Sequence, residues 1–146
     1  MKKREKFTFI VVAKLIPLKG IDILLYAFQK IVEEYPKSKL LIIGDGIEKN
    51  NLLKISNELN ITSPVYFLGR QNREFVAKYM KEFHVFVLPT KYEAFGVVFV
   101  EVLTVGLPVI STKNYGEPDD FINRKNGILV DIDNINELSM AMKEMV

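Results

Sequence analysis

The sequence predicts an α/β domain built as three layers, α/β/α, around about six mainly parallel strands. Three observations carry that prediction. Short apolar runs alternate with longer stretches whose apolar positions recur at spacings of three and four. The short runs are continuous and rich in β-branched and aromatic residues, as strands buried on both faces of a parallel sheet require. Glycine, proline or polar residues close most of them, and the stretches between are long enough to be crossover helices.

Each element follows from its residues. Met1 to Lys6 is a basic leader, expected to be frayed, so the domain proper is 7–146. Phe7 to Ala13 reads as the first strand, and Lys14 to Gly20 as a loop holding Pro17 and Gly20. Ile21, Leu24, Leu25, Phe28, Ile31 and Val32 mark one face of a helix from Ile21 to Tyr35, ended by Pro36. Lys39 to Ile43 is the second strand, with Gly44-Asp45-Gly46 turning out of it into a helix from Ile47 to Leu59. Val65 to Leu68 is the third strand, closed by Gly69, and Arg73 to Glu82 the next helix. Val85 to Leu88, Pro108 to Ser111 and Ile128 to Val130 are three further strands. A last helix starts at Ile135, capped by Asp133 or Asn134.

The run Val97 to Val105 sets two signals against each other. Its β-branched content favours a strand. Parallel strands at 85–88 and 108–111 need a crossover of this length, and the run is apolar on both faces. A buried helix is therefore expected.

Composition narrows the chemistry. The chain has 146 residues, 49% hydrophobic and 26% charged, with mean hydropathy +0.12. That is one domain's length, sufficient to bury a core without staples. There is no Cys and a single His, His84, which excludes disulfides, thiolate zinc sites and Cys nucleophiles. The net charge is +2, and part of that excess lies in the first six residues, so no broad nucleic-acid footprint is expected. No run approaches the ~18 apolar residues of a membrane span. No signal-peptide core follows the basic leader, so a cytoplasmic setting is expected.

Open parallel sheets bind ligands beyond the C-terminal strand ends. The residues after each strand are therefore the candidates: Lys14 to Gly20, Gly44 to Gly46, Gly69 to Asn72, Pro89 to Gly96 and Thr112 to Glu117. Glu93-Ala94-Phe95-Gly96-Val97 at the mouth of the apolar helix offers free amides and the helix dipole to a phosphate. Glu101 lies inside that apolar helix, where a buried carboxylate needs partners, and ribose hydroxyls would serve. The plainer reading makes Glu93 a solvated loop residue and Glu101 a cap on a backbone donor. Lys14 and Lys19 can reach a phosphate as point charges, or stand as solvated loop lysines. Gly44-Asp45-Gly46 lacks a third glycine and follows the second strand, so the dinucleotide fingerprint is incomplete and a nicotinamide-dependent dehydrogenase is disfavoured. No P-loop or nucleophile elbow occurs. His84 precedes the fourth strand, at the wrong end for the crevice, and reads as structural.

Six motifs in order resemble one family. They are Ala13-Lys14-Leu15 with Lys19-Gly20, Leu41-Ile42-Ile43-Gly44-Asp45-Gly46, and Val65-Tyr66-Phe67-Leu68-Gly69. Then come Leu88-Pro89-Thr90 with Glu93-Ala94-Phe95-Gly96 and Glu101, Gly106-Leu107-Pro108-Val109-Ile110, and Gly127-Ile128-Leu129-Val130. The chain resembles the C-terminal, donor-binding half of the GT-B fold retaining glycosyltransferases, the group 1 enzymes of family four. The resemblance implies a Rossmann-like domain that binds a nucleotide-diphosphate sugar for glycosyl transfer to an acceptor. By position it implies that Lys14 and Lys19 hold the donor diphosphate and that Glu93 meets the donor sugar's hydroxyls. It implies that amides of Phe95, Gly96 and Val97 meet sugar and phosphate. Glu101 would bind the ribose hydroxyls, and Gly69 and Arg70 would frame the base. No cofactor or metal is implied for the step.

The chain departs from the family's pattern in places. Ala13 and Lys14 stand for Gly and Arg, Thr90 for Ser, and Asp119 for Glu. The family's N-terminal acceptor half is expected as a partner and is absent here, so the chain alone is expected to be inactive. Self-association through the exposed cleft face is also expected. A lipid-linked acceptor would bring the protein to the inner face of the membrane. The alternative is a free-standing nucleotide-sugar-binding or interaction module without transferase activity.

Overall fold

Continuous β-branched runs become a sheet of parallel strands, and their periodic neighbours become the helices that cover it. The computed structural model describes residues 7–92, 97–113 and 126–145. The basic leader 1–6 therefore lies outside the described residues. Along the chain, β1 (Thr8–Val12) leads through a 3-10 turn (Pro17–Lys19) to α1 (Ile21–Glu34) and β2 (Lys39–Ile43). Then come α2 (Lys49–Glu58), β3 (Val65–Gly69), α3 (Arg73–Glu82) and β4 (Val85–Leu88). The last elements are α4 (Val97–Thr104), β5 (Val109–Thr112), β6 (Gly127–Val130) and α5, which is Ile135–Glu144.

The sheet order is β3-β2-β1-β4-β5-β6, and every pairing among the described residues is parallel. β1 runs beside β2 with Thr8 opposite Lys39 and Val12 opposite Ile43. It runs beside β4 with Phe9 opposite Val85. The chain therefore steps outward from β1 to β3, then returns to the other side of β1. With right-handed crossovers, that reversal puts α1 and α2 on one face and α4 on the other. It also opens a crevice between the C-terminal ends of β1 and β4, the topological switch point of the sheet. This is the expected three-layer Rossmann-like domain.

The core explains why these elements hold. Phe7, Phe9, Phe28 and Phe86 are fully buried. Phe9 on β1 meets Phe28 on α1 edge to face, with centroids 6.1 Å apart. α1 buries Ile21, Leu24, Leu25, Phe28 and Ile31, the predicted stripe, and packs against α5. Asn72 caps α3 by accepting the Phe75 N–H at 2.8 Å. Asn134 caps α5 by accepting the Glu137 N–H at 2.9 Å. Asn134 is thus the cap, not Asp133.

The ambiguous run is a helix, as the crossover argument requires: α4 carries Val102 into the core and lies against β5. Two local expectations needed correction. The loop after β1 contains the 3-10 turn, started by Pro17 and closed by Gly20 in the left-handed region (φ 68). The second helix starts at Lys49 rather than Ile47. Its would-be first turn is held elsewhere. The Leu15 N–H donates to the Asp45 carbonyl at 3.0 Å, and the Glu48 N–H donates to the Leu15 carbonyl at 2.8 Å.

Candidate functional site

The crevice is assembled from backbone before side chains enter it. Gly44 (φ +142) sits so close to β1's exit that a Cβ there would lie 1.8 Å from the Ala13 carbonyl oxygen. A Cβ on Gly46 would lie 2.4 Å from that of Leu15. The Gly44 N–H donates to the Gly69 carbonyl at 2.8 Å. The Gly-Asp-Gly turn thus uses its glycines to press the first three βα loops together, which explains those glycines without a dinucleotide. Asp45 closes the turn by accepting the Gly46 N–H at 2.8 Å.

The fourth βα loop is tied in similarly. Gly20 packs so tightly that an added Cβ would lie 2.2 Å from the Pro89 carbonyl oxygen. The Lys91 N–H donates to the Leu18 carbonyl at 2.8 Å, and the Thr90 hydroxyl bonds to the Leu18 and Tyr92 carbonyls. Thr90 is fully buried, and its own carbonyl accepts the Thr112 hydroxyl. Small hydroxyl residues just after β4 and at the end of β5 therefore act as rivets between loops.

The result is a cavity of about 820 Å³ beyond the ends of β1, β2 and β3. Its walls are Val12 to Lys14, Ile43 to Ile47, Arg70 and Gln71. It carries two cations, Lys14 and Arg70, one acid, Asp45, and an apolar face from Val12, Ile43 and Ile47. Ile47 is 83% exposed at the rim. Such an arrangement suits an anionic ligand with a flat apolar part, and the volume falls within the usual range for small-molecule sites.

The structure brings together part of the predicted set. Lys14 and Arg70 share the cavity, and Gly69 backs it through its carbonyl. Lys19 is half-buried in the 3-10 turn and does not line this cavity. Glu93, Phe95 and Gly96 lie outside the described residues. Val97 is the first residue of α4, and only its backbone is described.

Glu101 departs from expectation. Its side chain is 38% exposed, not buried, and its carboxylate is paired. Arg73, the first residue of α3, places Nη2 2.6 Å from Glu101 Oε1. That hydrogen bond, and then the charge of Glu101, raises the Arg73 pKa above its ordinary value. Among the described residues Glu101 therefore caps no backbone donor, and it does not stand alone. A carboxylate in an apolar helix needs a partner, and for Glu101 that partner is Arg73, which is not among the residues expected at the site. The signal was present: Arg73 is a cation close after a strand end, opening the helix that follows the loop with Arg70.

His84 lies at the opposite end of the sheet. Its Nδ1 accepts the Thr8 N–H at 3.1 Å, and its ring meets Phe7. This is the structural role expected for it. Among the described residues, no group of three His, Asp or Glu side chains could hold a metal ion, and no helix is long and apolar enough to cross a membrane.

Comparison with known proteins agrees with this geometry. The family of Glycosyl transferases group 1 matches residues 1–146. An uncharacterized glycosyltransferase of Haemophilus influenzae is 31% identical over 147 residues, covering 100% of this chain and 41% of its own. The crystal structure of an S. aureus TarM mutant, in a complex that includes UDP, superposes with TM-score 0.89 at 24% identity. That match covers 97% of this chain and 29% of TarM. The C-terminal domain of a group 1 glycosyl transferase from Francisella tularensis superposes with TM-score 0.85 at 17% identity. That match covers 95% of this chain and 74% of that domain. The chain spans less than half the length of the curated relatives it matches.

Proposed function

The chain belongs to the Glycosyl transferases group 1 family, and from that premise we propose that it is the part of a glycosyltransferase that holds a nucleotide-diphosphate sugar. The observation that carries this reading is the cavity at the sheet's C-terminal edge. There Lys14 and Arg70 face a glycine-backed wall beside an apolar rim. An anionic diphosphate, a sugar and a flat base have the complementary chemistry.

In this reading the roles are those that the family resemblance implies by position. Lys14 and Lys19, on the loop after β1, hold the diphosphate. Arg70 and the backbone at Gly69 frame the base. Glu101, on α4, receives ribose hydroxyls. Glu93 and the amides of Phe95, Gly96 and Val97, which precede and begin α4, serve the sugar and its phosphate. In transfer, the bond between the anomeric carbon and the phosphate oxygen breaks, and the diphosphate leaves with the electron pair. The acceptor oxygen forms the new bond, and its proton passes to the departing phosphate oxygen. Negative charge grows on the leaving group, so fixed cations beside it act where catalysis needs them. Retention of configuration belongs to the same reading. So does the need for a second, acceptor-binding half, without which this chain holds donor but does not transfer. Self-association of the isolated chain through its cleft face belongs to the same reading.

The test is a titration of the chain with UDP, GDP and ADP, beside Lys14→Ala, Lys19→Ala and Glu101→Ala. One nucleotide is expected to bind. Each lysine variant is expected to lose about tenfold or more, as loss of a charge-assisted contact implies. Binding unchanged in all three variants would refute the assignment.

A further inference from the structure

The Arg73–Glu101 pair has a geometry that bears on how tightly a nucleotide is held. The contact engages one carboxylate oxygen: Nη2 of Arg73 lies 2.6 Å from Oε1, and Oε2 has no hydrogen-bond partner among the described residues. The two ends of the pair are unequal. Glu101 is anchored on α4 in a largely apolar helix, whereas the Arg73 side chain is 86% exposed. Arg73 can therefore leave without giving up packing.

A ribose presents two neighbouring hydroxyls, and a carboxylate meets such a diol best with one oxygen for each. Among the described residues Oε1 holds the Arg73 guanidinium and Oε2 holds no donor. From this geometry we infer that Arg73 sets nucleotide affinity and ribose selectivity by competing with a ribose hydroxyl for Glu101 Oε1. This inference rests on the proposed ribose role of Glu101. On this proposal a ligand with both hydroxyls contends with Arg73 for Oε1, and its apparent affinity falls by the fraction of molecules in which the pair is closed. A ligand with one hydroxyl binds through Oε2 and leaves Arg73 in place. Arg73 thus narrows the advantage of ribonucleotides over their deoxy counterparts.

The test measures that advantage as a ratio. UDP, GDP and ADP are each titrated against their 2′-deoxy analogues by calorimetry. The proteins are the unmodified chain, Arg73→Ala, Arg73→Met and Glu101→Gln. Taking the ratio cancels the general attraction of Arg73 for the diphosphate, which both ligands share. In Arg73→Ala and Arg73→Met the ribo-to-deoxy affinity ratio is expected to rise about two- to fivefold, the range of an exposed ion pair. Raising the salt concentration should lift the unmodified chain's ratio toward the variants' value and leave theirs unchanged, because salt screens the exposed pair. In Glu101→Gln the ratio should fall below that of the unmodified chain. A fall in Glu101→Gln with no rise in either Arg73 variant overturns the competition and leaves the ribose role of Glu101 standing. A ratio unchanged in Glu101→Gln, or no binding of any nucleotide, overturns both.

Discussion

Replacing Gly44 with Ala tests whether backbone contact between the first two βα loops builds the cavity. The added Cβ would lie 1.8 Å from the Ala13 carbonyl oxygen, where real contacts essentially never fall below 3.0 Å, so the loops must part by at least about 1.2 Å. Movement of that size breaks two neighbouring bonds, Ala13 N–H to the Ile43 carbonyl and Leu15 N–H to the Asp45 carbonyl, both 3.0 Å. Each bond contributes about 1 kcal/mol. The backbone at φ +142 costs a non-glycine residue about 1–3 kcal/mol more. The combined loss is about 3–5 kcal/mol, a large share of a typical domain's stability. In urea unfolding followed by circular dichroism, the midpoint should fall by about 2 M. Gly106→Ala separates the causes, since Gly106 also has positive φ (+78) but open space around its would-be Cβ. It should lose only the conformational part, about 1–2 kcal/mol. Equal losses at the two positions would refute the steric argument. So would full nucleotide affinity in a folded Gly44→Ala chain.

Two further outcomes follow from local contacts. His84→Ala should lower stability by about 1–2 kcal/mol, because the Thr8 N–H loses its acceptor. Nucleotide affinity should not change, and loss of binding at full stability would place His84 in the site after all. Asn72→Ala should cost about 1 kcal/mol by uncapping α3. Thermal unfolding by calorimetry checks it, and an unchanged transition would show that the cap contributes nothing there.

Most of the architecture was readable along the chain because a parallel α/β sheet writes itself in runs and periods. Continuous apolar segments such as Leu40 to Ile43 have no solvent face to encode, and the stripe from Ile21 to Ile31 has one side only. The run Val97 to Thr104 was readable only by combining propensity with topology, since its composition alone points to a strand. Errors fell at boundaries. Ile47 and Glu48 have nothing in their own residues to bar a helix, and the bonds from Leu15 that hold this segment outside α2 come from another loop.

The candidate site divides along the same line. The sequence by itself determined the succession of strands and crossover helices, and the loops after the strands as the candidate edge. It placed Lys14 and Arg70 on those loops and Glu101 in a crossover helix, because run length and spacing are properties of the chain. The order of strands in the sheet came only from the fold. The sequence could not tell which residue answers Glu101. That depends on where the first turn of α3 lies against α4, with Arg73 and Glu101 28 positions apart in the sequence. Nor could it tell that Gly44 and Gly46 serve the packing of loop on loop. A glycine's purpose lies in what occupies the space its missing side chain leaves, and only the folded chain brings the Ala13 and Leu15 carbonyls there.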